Sequence, residues 1–296
     1  MPKTVKNKHI VTKSQSKRLG LILRWLLAIV LIIFSVFPVV WIISAAFAPV
    51  NDLANQKLIP DKAGFDNFEA LVNTDIFPFF IWLWNSIKIS VLTTVLTLSL
   101  TTLAAFAFSR FRFKGRQELL KTILLVQSFP NLLAIVALFS ISKQIGDIFA
   151  GLGLNTHAGL ILVYLGGAMG MNIWLMKGYM DTIPRDIDES AHVDGANDWQ
   201  VFTKLILPLL RPILIVIGIL SFIGTYGEFI IARTLLTKRE LQTVMVGLQI
   251  YTSGQYTQNW GVFAAGALIA ALPIMIIYLI LQDQIVGGLT RGAVKG

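Results

Sequence analysis

The sequence predicts an all-α polytopic membrane protein with six transmembrane helices. An apolar composition, six long apolar blocks and a lopsided distribution of lysine and arginine carry that prediction. Of 296 residues, 55% are hydrophobic and 14% charged, against about 45–50% and about 25% in ordinary soluble domains. Mean hydropathy is +0.71. A helix needs roughly 20 apolar residues to cross the hydrocarbon core. Blocks at 19–47, 81–108, 119–142, 158–176, 209–231 and 262–281 meet that length to within a few residues.

The first block follows a basic segment. A basic region, an apolar run and Ala46-Phe47-Ala48 also resemble a signal peptide. The run is far longer than the usual apolar region of about 7–15 residues, and Pro49 is a poor context for cleavage, so the helix is expected to be retained. The segment 49–80 carries Asp52, Asp61, Asp66, Glu69 and Asp75 among Leu58, Ile59, Phe65, Phe68 and Leu71. It is expected to pack as short helices on the membrane surface. In the third block, Gln127, Ser128 and Asn131 surround Pro130, which frees a backbone carbonyl one turn earlier. A structural kink is expected there, and Asn172 and Pro273 invite similar readings. Glu228, near one end of the fifth block, is a functional candidate because a charge at that depth is costly. It is read either as a possible outer gate or as the partner of a neighbouring helix.

Lysine and arginine set the orientation. Eighteen of the 25 fall in the N-terminal segment, the 110–121 loop, the 177–211 loop and the tail. Six fall in the opposite loops, and Lys88 lies inside the second block, where its long side chain can snorkel. Positive-inside bias therefore places both termini in the cytoplasm. This clustering beside apolar blocks accounts for the net charge of +9 without nucleic acid. With no cysteines and only His9, His157 and His192, far apart in sequence, neither a thiol centre nor a histidine metal site is indicated. No nucleophile–base constellation or metal cluster points to an enzyme.

The 181–208 loop is the most informative stretch. Pro184 suits a first helical turn. Asp186, Asp188 and Glu189 favour the positive end of a helix dipole. Gly195 can supply a left-handed C-cap. Asn197 with Gln200 reads as a capping box for a second helix bearing Val201, Phe202, Leu205 and Ile206 and stopping near Pro208. The expected local structure is helix, glycine turn, helix.

Glu189-Ser190-Ala191, three residues, Gly195, nine residues, then Leu205-Ile206-Leu207-Pro208 resembles the EAA loop of the permease subunits of ABC importers. The family pattern is Glu-Ala-Ala, three residues, Gly, nine residues, Ile-x-Leu-Pro. Ser190 and Leu205 depart from it, both conservatively. Further stretches resemble the smaller permease of maltose/maltodextrin importers: 82–88, 153–159, 164–167, 260–265 and the glycine-rich tail 287–296. The resemblance implies a type I importer permease (MetI-like) fold in a bacterial cytoplasmic membrane. It divides the chain into a cytoplasmic tail (1–18), a first helix with an external loop (19–80), a permease domain (81–283) and a C-terminal tail (284–296). Implied partners are a second permease subunit (MalF-like), two copies of a cytoplasmic ATPase (MalK-like), an extracytoplasmic sugar-binding protein and membrane lipid.

In the family the EAA loop docks on the ATPase, which assigns that contact to Glu189, Ser190, Ala191, Gly195, Leu207 and Pro208. The tail, with Thr290, Arg291, Lys295 and Gly296, would reach the ATPase dimer as an extended segment. The polar, aromatic loop 249–260 would enter the sugar cleft of the binding protein, with Tyr251, Ser253, Gly254, Gln255 and Tyr256 around its tip. No cofactor is expected in this chain. It has no G-x-x-x-x-G-K-[ST] phosphate loop, so ATP and Mg would be bound by the ATPase partners. A secondary transporter would show paired repeats and charges near mid-membrane, neither of which is evident. A non-transporting scaffold leaves the EAA spacing and the tail unexplained.

Overall fold

The computed structural model describes residues 13–49, 56–72, 77–254 and 259–293, and among these it contains helices and no strand. Helix α1 (Lys13–Phe47) is 35 residues long and contains Pro38. Most of its large apolar side chains, from Leu21 to Ile43, point away from the protein. On so long a helix this is a lipid-facing surface, because a helix satisfies its own backbone polar groups where no water can. It packs along α12 (Trp260–Ala293).

Helix α3 (Phe79–Arg110) forms the centre, against α6 (His157–Met180) and α9 (Arg211–Tyr226). Ser86, Ser90, Thr93, Thr97, Thr101, Ala105 and Ser109 recur every three or four residues and are all buried. Small residues in such a stripe let helices approach closely where lipid supplies no hydrophobic drive between them.

Two of the six expected spans are not single helices. The third block divides into α4 (Arg116–Gln127) and α5 (Asn131–Ile148), with Pro130 standing before α5 rather than kinking one continuous helix. Gln127 donates from Nε2 to the carbonyl of Gly167 (2.9 Å), tying the break to α6. The fifth block turns instead of crossing straight. After α7 (Asp186–Val193), α8 (Asp198–Leu209) meets α9 at 75°. A π-helical turn at Val201–Ile206 and Pro208 precede the corner, and Pro212 opens α9. α9 stops at Gly227, and α10 (Ile230–Leu235) follows. Among the described residues, Gly20–Phe47, Phe79–Arg110, His157–Met180 and Trp260–Gln282 are long and apolar enough to span by themselves, and the bent pair makes a fifth if its two helices are one span.

The end opposite the α7–α8 loop is closed by α2 (Asp66–Val72) and α11 (Val244–Ile250). Asn67 donates to the carbonyls of Ala46 (3.0 Å) and Ala48 (2.8 Å), which lie at the end of α1 and have no intrahelical partner. Trp82 donates from its indole nitrogen to the Arg239 carbonyl (2.7 Å). Its ring lies over Gly247, where an added Cβ would stand 2.0 Å from Trp82 Cε3, so only glycine admits that contact. Helix α12 continues through Ala293, so Thr290 and Arg291 lie on helical backbone, not on the extended segment expected from the glycines. Lys295 and Gly296 lie outside the described residues.

Candidate functional site: the α7–α8 loop and the groove beside α9

The loop forms the expected helix, glycine turn and helix. Asp186, Asp188 and Glu189 occupy the first turn of α7. The helix closes at Gly195, whose φ of +87° falls in the left-handed region, and Ala196 donates back to the Ala191 carbonyl (2.9 Å). Asn197 and Gln200 make the reciprocal capping box, at 2.9 and 3.0 Å.

The two faces of the loop differ. Val201, Phe202, Ile206 and Ile183 are buried with Met176, Met180, Phe106 and Ile217, while Ala191 and Leu207 pack at the rim of that cluster. This apolar floor fixes the loop to α3, α6 and α9. Glu189, Ser190, Gly195 and Pro208 face outward. Beside them stand Val193, 88% exposed, and Trp199, 63% exposed. The sequence reading missed both. Val193 lies one turn beyond Glu189 on the polar face of α7, so helical periodicity alone marks it as a misplaced apolar residue.

A cluster of charges joins this loop to the last turn of α3. Arg110 Nε lies 2.6 Å from Asp188 Oδ2, the two side chains 8% and 12% exposed. Arg110 Nη2 donates to the Ile183 carbonyl (3.2 Å), and Arg185 Nη2 donates to the Ser109 carbonyl (2.8 Å). Ser109 Oγ donates to Asp181 Oδ1 (2.6 Å), whose other oxygen accepts from Lys177 (2.5 Å). Burial pushes the Asp188 carboxyl above its ordinary value, with Arg110 pulling the other way. Asp181 is also penalised by desolvation, but hydrogen bonds from Lys177 and Ser109 outweigh that and hold it below its ordinary value.

On the flank, a groove of about 1070 Å³ runs between α4–α5, α6 and α9, lined mainly by apolar side chains. Glu228 stands at one end of it. Its Oε2 accepts from the Tyr164 hydroxyl (2.6 Å) and the Ala232 amide (2.9 Å), and its Oε1 from the Ile231 amide (2.8 Å). Glu228 thus caps α10 and secures the break after α9. It faces the groove as the gate reading required, but it is bound within its own chain.

Tyr251 departs from expectation. It is 6% exposed, packs within the core near Val244, Leu248 and Val262, and its ring lies 5.4 Å from that of Phe77. Its carbonyl accepts from Asn259 N (2.8 Å), pinching the arms of the loop together. Tyr251 is therefore a foundation of the loop and not part of its tip. Ser253 is exposed and Gly254 half-buried, while Gln255 and Tyr256 lie outside the described residues.

Residues 98–291 match the family of binding-protein-dependent transport system inner membrane components. The chain belongs to this family. It is a multi-pass permease subunit of the inner membrane and not itself an enzyme. The permease is 42% identical over 274 residues to the maltose/maltodextrin transport system permease protein MalG of Vibrio vulnificus, covering 88% of this chain and 91% of that protein. It is 39% identical to the galactooligosaccharides transport system permease protein GanQ of Bacillus subtilis, covering 93% and 96%. A bacterial ABC transporter that imports the acidic polysaccharide alginate contains a chain of the same fold, with a TM-score of 0.77 at 22% identity over 96% of this permease and 99% of that chain.

Proposed function

We propose that this permease carries maltose or maltodextrin across the membrane as one half of an ATP-driven importer, with both termini in the cytoplasm. The observation that supports it most directly is the outward face of the α7–α8 loop. Glu189, Ser190, Gly195, Val193 and Trp199 are exposed there on a segment otherwise packed firmly into the bundle. Exposed apolar side chains on a rigid polar element suit a protein partner better than water. That partner is a cytoplasmic ATPase (MalK-like), two copies per complex, which holds ATP and Mg. Ala191, Leu207 and Pro208 support the docking face from behind and beside it. A second permease (MalF-like) completes the pathway. An extracytoplasmic sugar-binding protein meets the opposite end, near Ser253 and Gly254 beside the pinch between Tyr251 and Asn259. The terminal turns of α12, which carry Thr290 and Arg291, extend toward the ATPase.

ATP-driven closure of the ATPase shifts α7, and its connections to α6 and, through the α8–α9 corner, to α9 carry that shift into the spans. Nucleotide moves the equilibrium only through its differential affinity for the two states. A galactooligosaccharide is the second reading, favoured by the 39% identity to a permease named for that cargo. The test is ATPase turnover of the reconstituted complex with its own partner permease, ATPase and binding protein, with and without each sugar. Stimulation by maltodextrin is expected, and stimulation by galactooligosaccharide alone moves the cargo to the second reading. Gly195→Asp should abolish sugar-stimulated turnover while leaving the spans folded, because a side chain at φ +87° strains the turn that ends α7 and adds bulk to the exposed face, while its Cβ meets nothing in the bundle. Normal stimulation in that variant would remove the docking assignment.

A further inference from the structure

Chain connectivity joins α7 directly to α6 on one side and, through α8, to α9 on the other. Helix α3 is more than seventy residues away in sequence, yet its last turn is held to the loop from both directions. The loop presents Asp188 to Arg110, Asp181 to Ser109 Oγ and Arg185 to the Ser109 carbonyl. In return α3 presents Arg110 to the Ile183 carbonyl. Ser109 and Arg110 thus take part in four contacts, two through side chains on each partner and two through backbone carbonyls.

A buried ion pair is a poor way to gain stability alone. Well-packed apolar residues of similar volume often do as well or better, because both charges must be desolvated. The apolar floor of Phe106, Val201, Phe202 and Ile206 already glues loop to bundle. The charges add direction: the Arg110 guanidinium is paired by charge with one carboxylate and hydrogen-bonded to one carbonyl, so it cannot slide without losing a partner. Helix α3 is also the element that packs on both α6 and α9, so a displacement passed into it reaches the centre of the bundle.

We propose that Arg110 and Asp188 are positioning residues that make α3 a third arm of the coupling loop, so that movement of α7 is passed into the core of the permease through their ion pair. This rests on the reading that α7 docks an ATPase. In that arrangement α6 and α9 are pulled by the chain itself, and α3 is pulled by Arg110. Without the pair, the ATPase still binds and turns over, but α3 lags and the pathway fails to open in step.

The test uses the full importer in proteoliposomes, with three readouts: ATPase retained on purification, ATP hydrolysed, and sugar imported per ATP. Arg110→Gln and Asp188→Asn should assemble and hydrolyse ATP, while sugar imported per ATP falls about tenfold or more, within the usual span of coupling between sites. The double variant Arg110→Asp with Asp188→Arg should recover a large part of the ratio. Ser109→Ala removes the Asp181 contact and a long bond from Arg110 Nη1 (3.4 Å), keeps the Asp188 pair, and should lower the ratio less, with assembly intact. Single variants that assemble and import at the wild-type ratio overturn the proposal. So does a loss of import that only follows loss of assembled complex, since a purely structural pair would behave that way. A wild-type complex that retains no ATPase on purification brings down the docking reading itself, and the proposal with it.

Discussion

Asp188 and Glu228 are carboxylates near opposite ends of the α7–α10 segment, and they are held in opposite ways. Asp188 faces a cation from another helix, Arg110, across a buried contact. Glu228 faces only neutral donors: the Tyr164 hydroxyl and two amides at the start of α10. Two of its three bonds are to residues three and four positions along, so that contact stabilises a bend within one segment. The Asp188 contact spans elements distant in the chain and depends on one partner. The two geometries suit different tasks. A cap preserves the shape of its own segment whatever its neighbours do, whereas an ion pair between helices makes two bodies move together.

Removing one partner from each should separate them. Arg110→Leu leaves a buried carboxylate without its cation, a change that costs about 3–5 kcal/mol in buried pairs. Tyr164→Phe leaves Glu228 with both amides and should cost about 1 kcal/mol, as for typical hydrogen bonds between membrane helices. Unfolding of the purified permease complex in mild detergent measures both. Equal losses would show that the Tyr164 contact bears as much as the ion pair and that the contrast is false.

Titration sharpens the contrast within the charge cluster. The Asp188 carboxyl is raised by burial, so its contribution to stability is fully present below the ordinary value and is lost as pH rises through its folded value. Asp181 is lowered, so its contribution is present above the ordinary value and is lost as pH falls through its folded value. Acidification from neutrality toward about pH 4, near the ordinary Asp value, therefore relieves Asp188 before it costs Asp181. Hydrogen-exchange protection of residues 181–210, corrected for intrinsic rates, should rise more in the wild type than in Asp188→Asn over that interval. Asp181→Asn should blunt the loss on further acidification. An identical profile in wild type and Asp188→Asn would mean that the carboxyl does not respond to its burial.

Much of the loop was legible because its signals are local. The acidic first turn, Gly195 and the Asn197–Gln200 pair each act within four residues and appear where the sequence places them, while Pro184 stands just before the cap residue Arg185 rather than in the first turn. The apolar blocks were legible for the same reason, as runs. The breaks were harder to read. Pro130 and Pro208 mark a kink and a stop, but hydropathy shows where lipid is tolerated and not by how much a helix turns, so the full division of α4 from α5 and the 75° angle before α9 were not legible. Contacts between distant positions were hidden altogether. Arg110 reads as one more cation of a basic loop until the fold sets it beside Asp188. Tyr251 reads as a loop aromatic until Phe77 and the α11–α12 packing close over it.

The smallest effect belongs to the most legible feature. Asn197→Ala removes the side chain that accepts from the Gln200 amide and leaves that donor to water at the start of α8. Such N-cap losses cost about 1 kcal/mol. Gln200 keeps its return bond to the Asn197 amide, because that bond uses backbone at the altered position. Asn197→Asp should restore nearly all of the loss, since a carboxylate accepts the same bond and is favoured at the positive end of a helix. The cap lies within one turn and joins no distant helices, so sugar imported per ATP should stay at the wild-type ratio in Asn197→Ala while thermal stability falls slightly. A drop in that ratio as large as the one expected for Asp188→Asn would show that any weakening of the loop uncouples the permease, and the ion pair with α3 would lose its special standing.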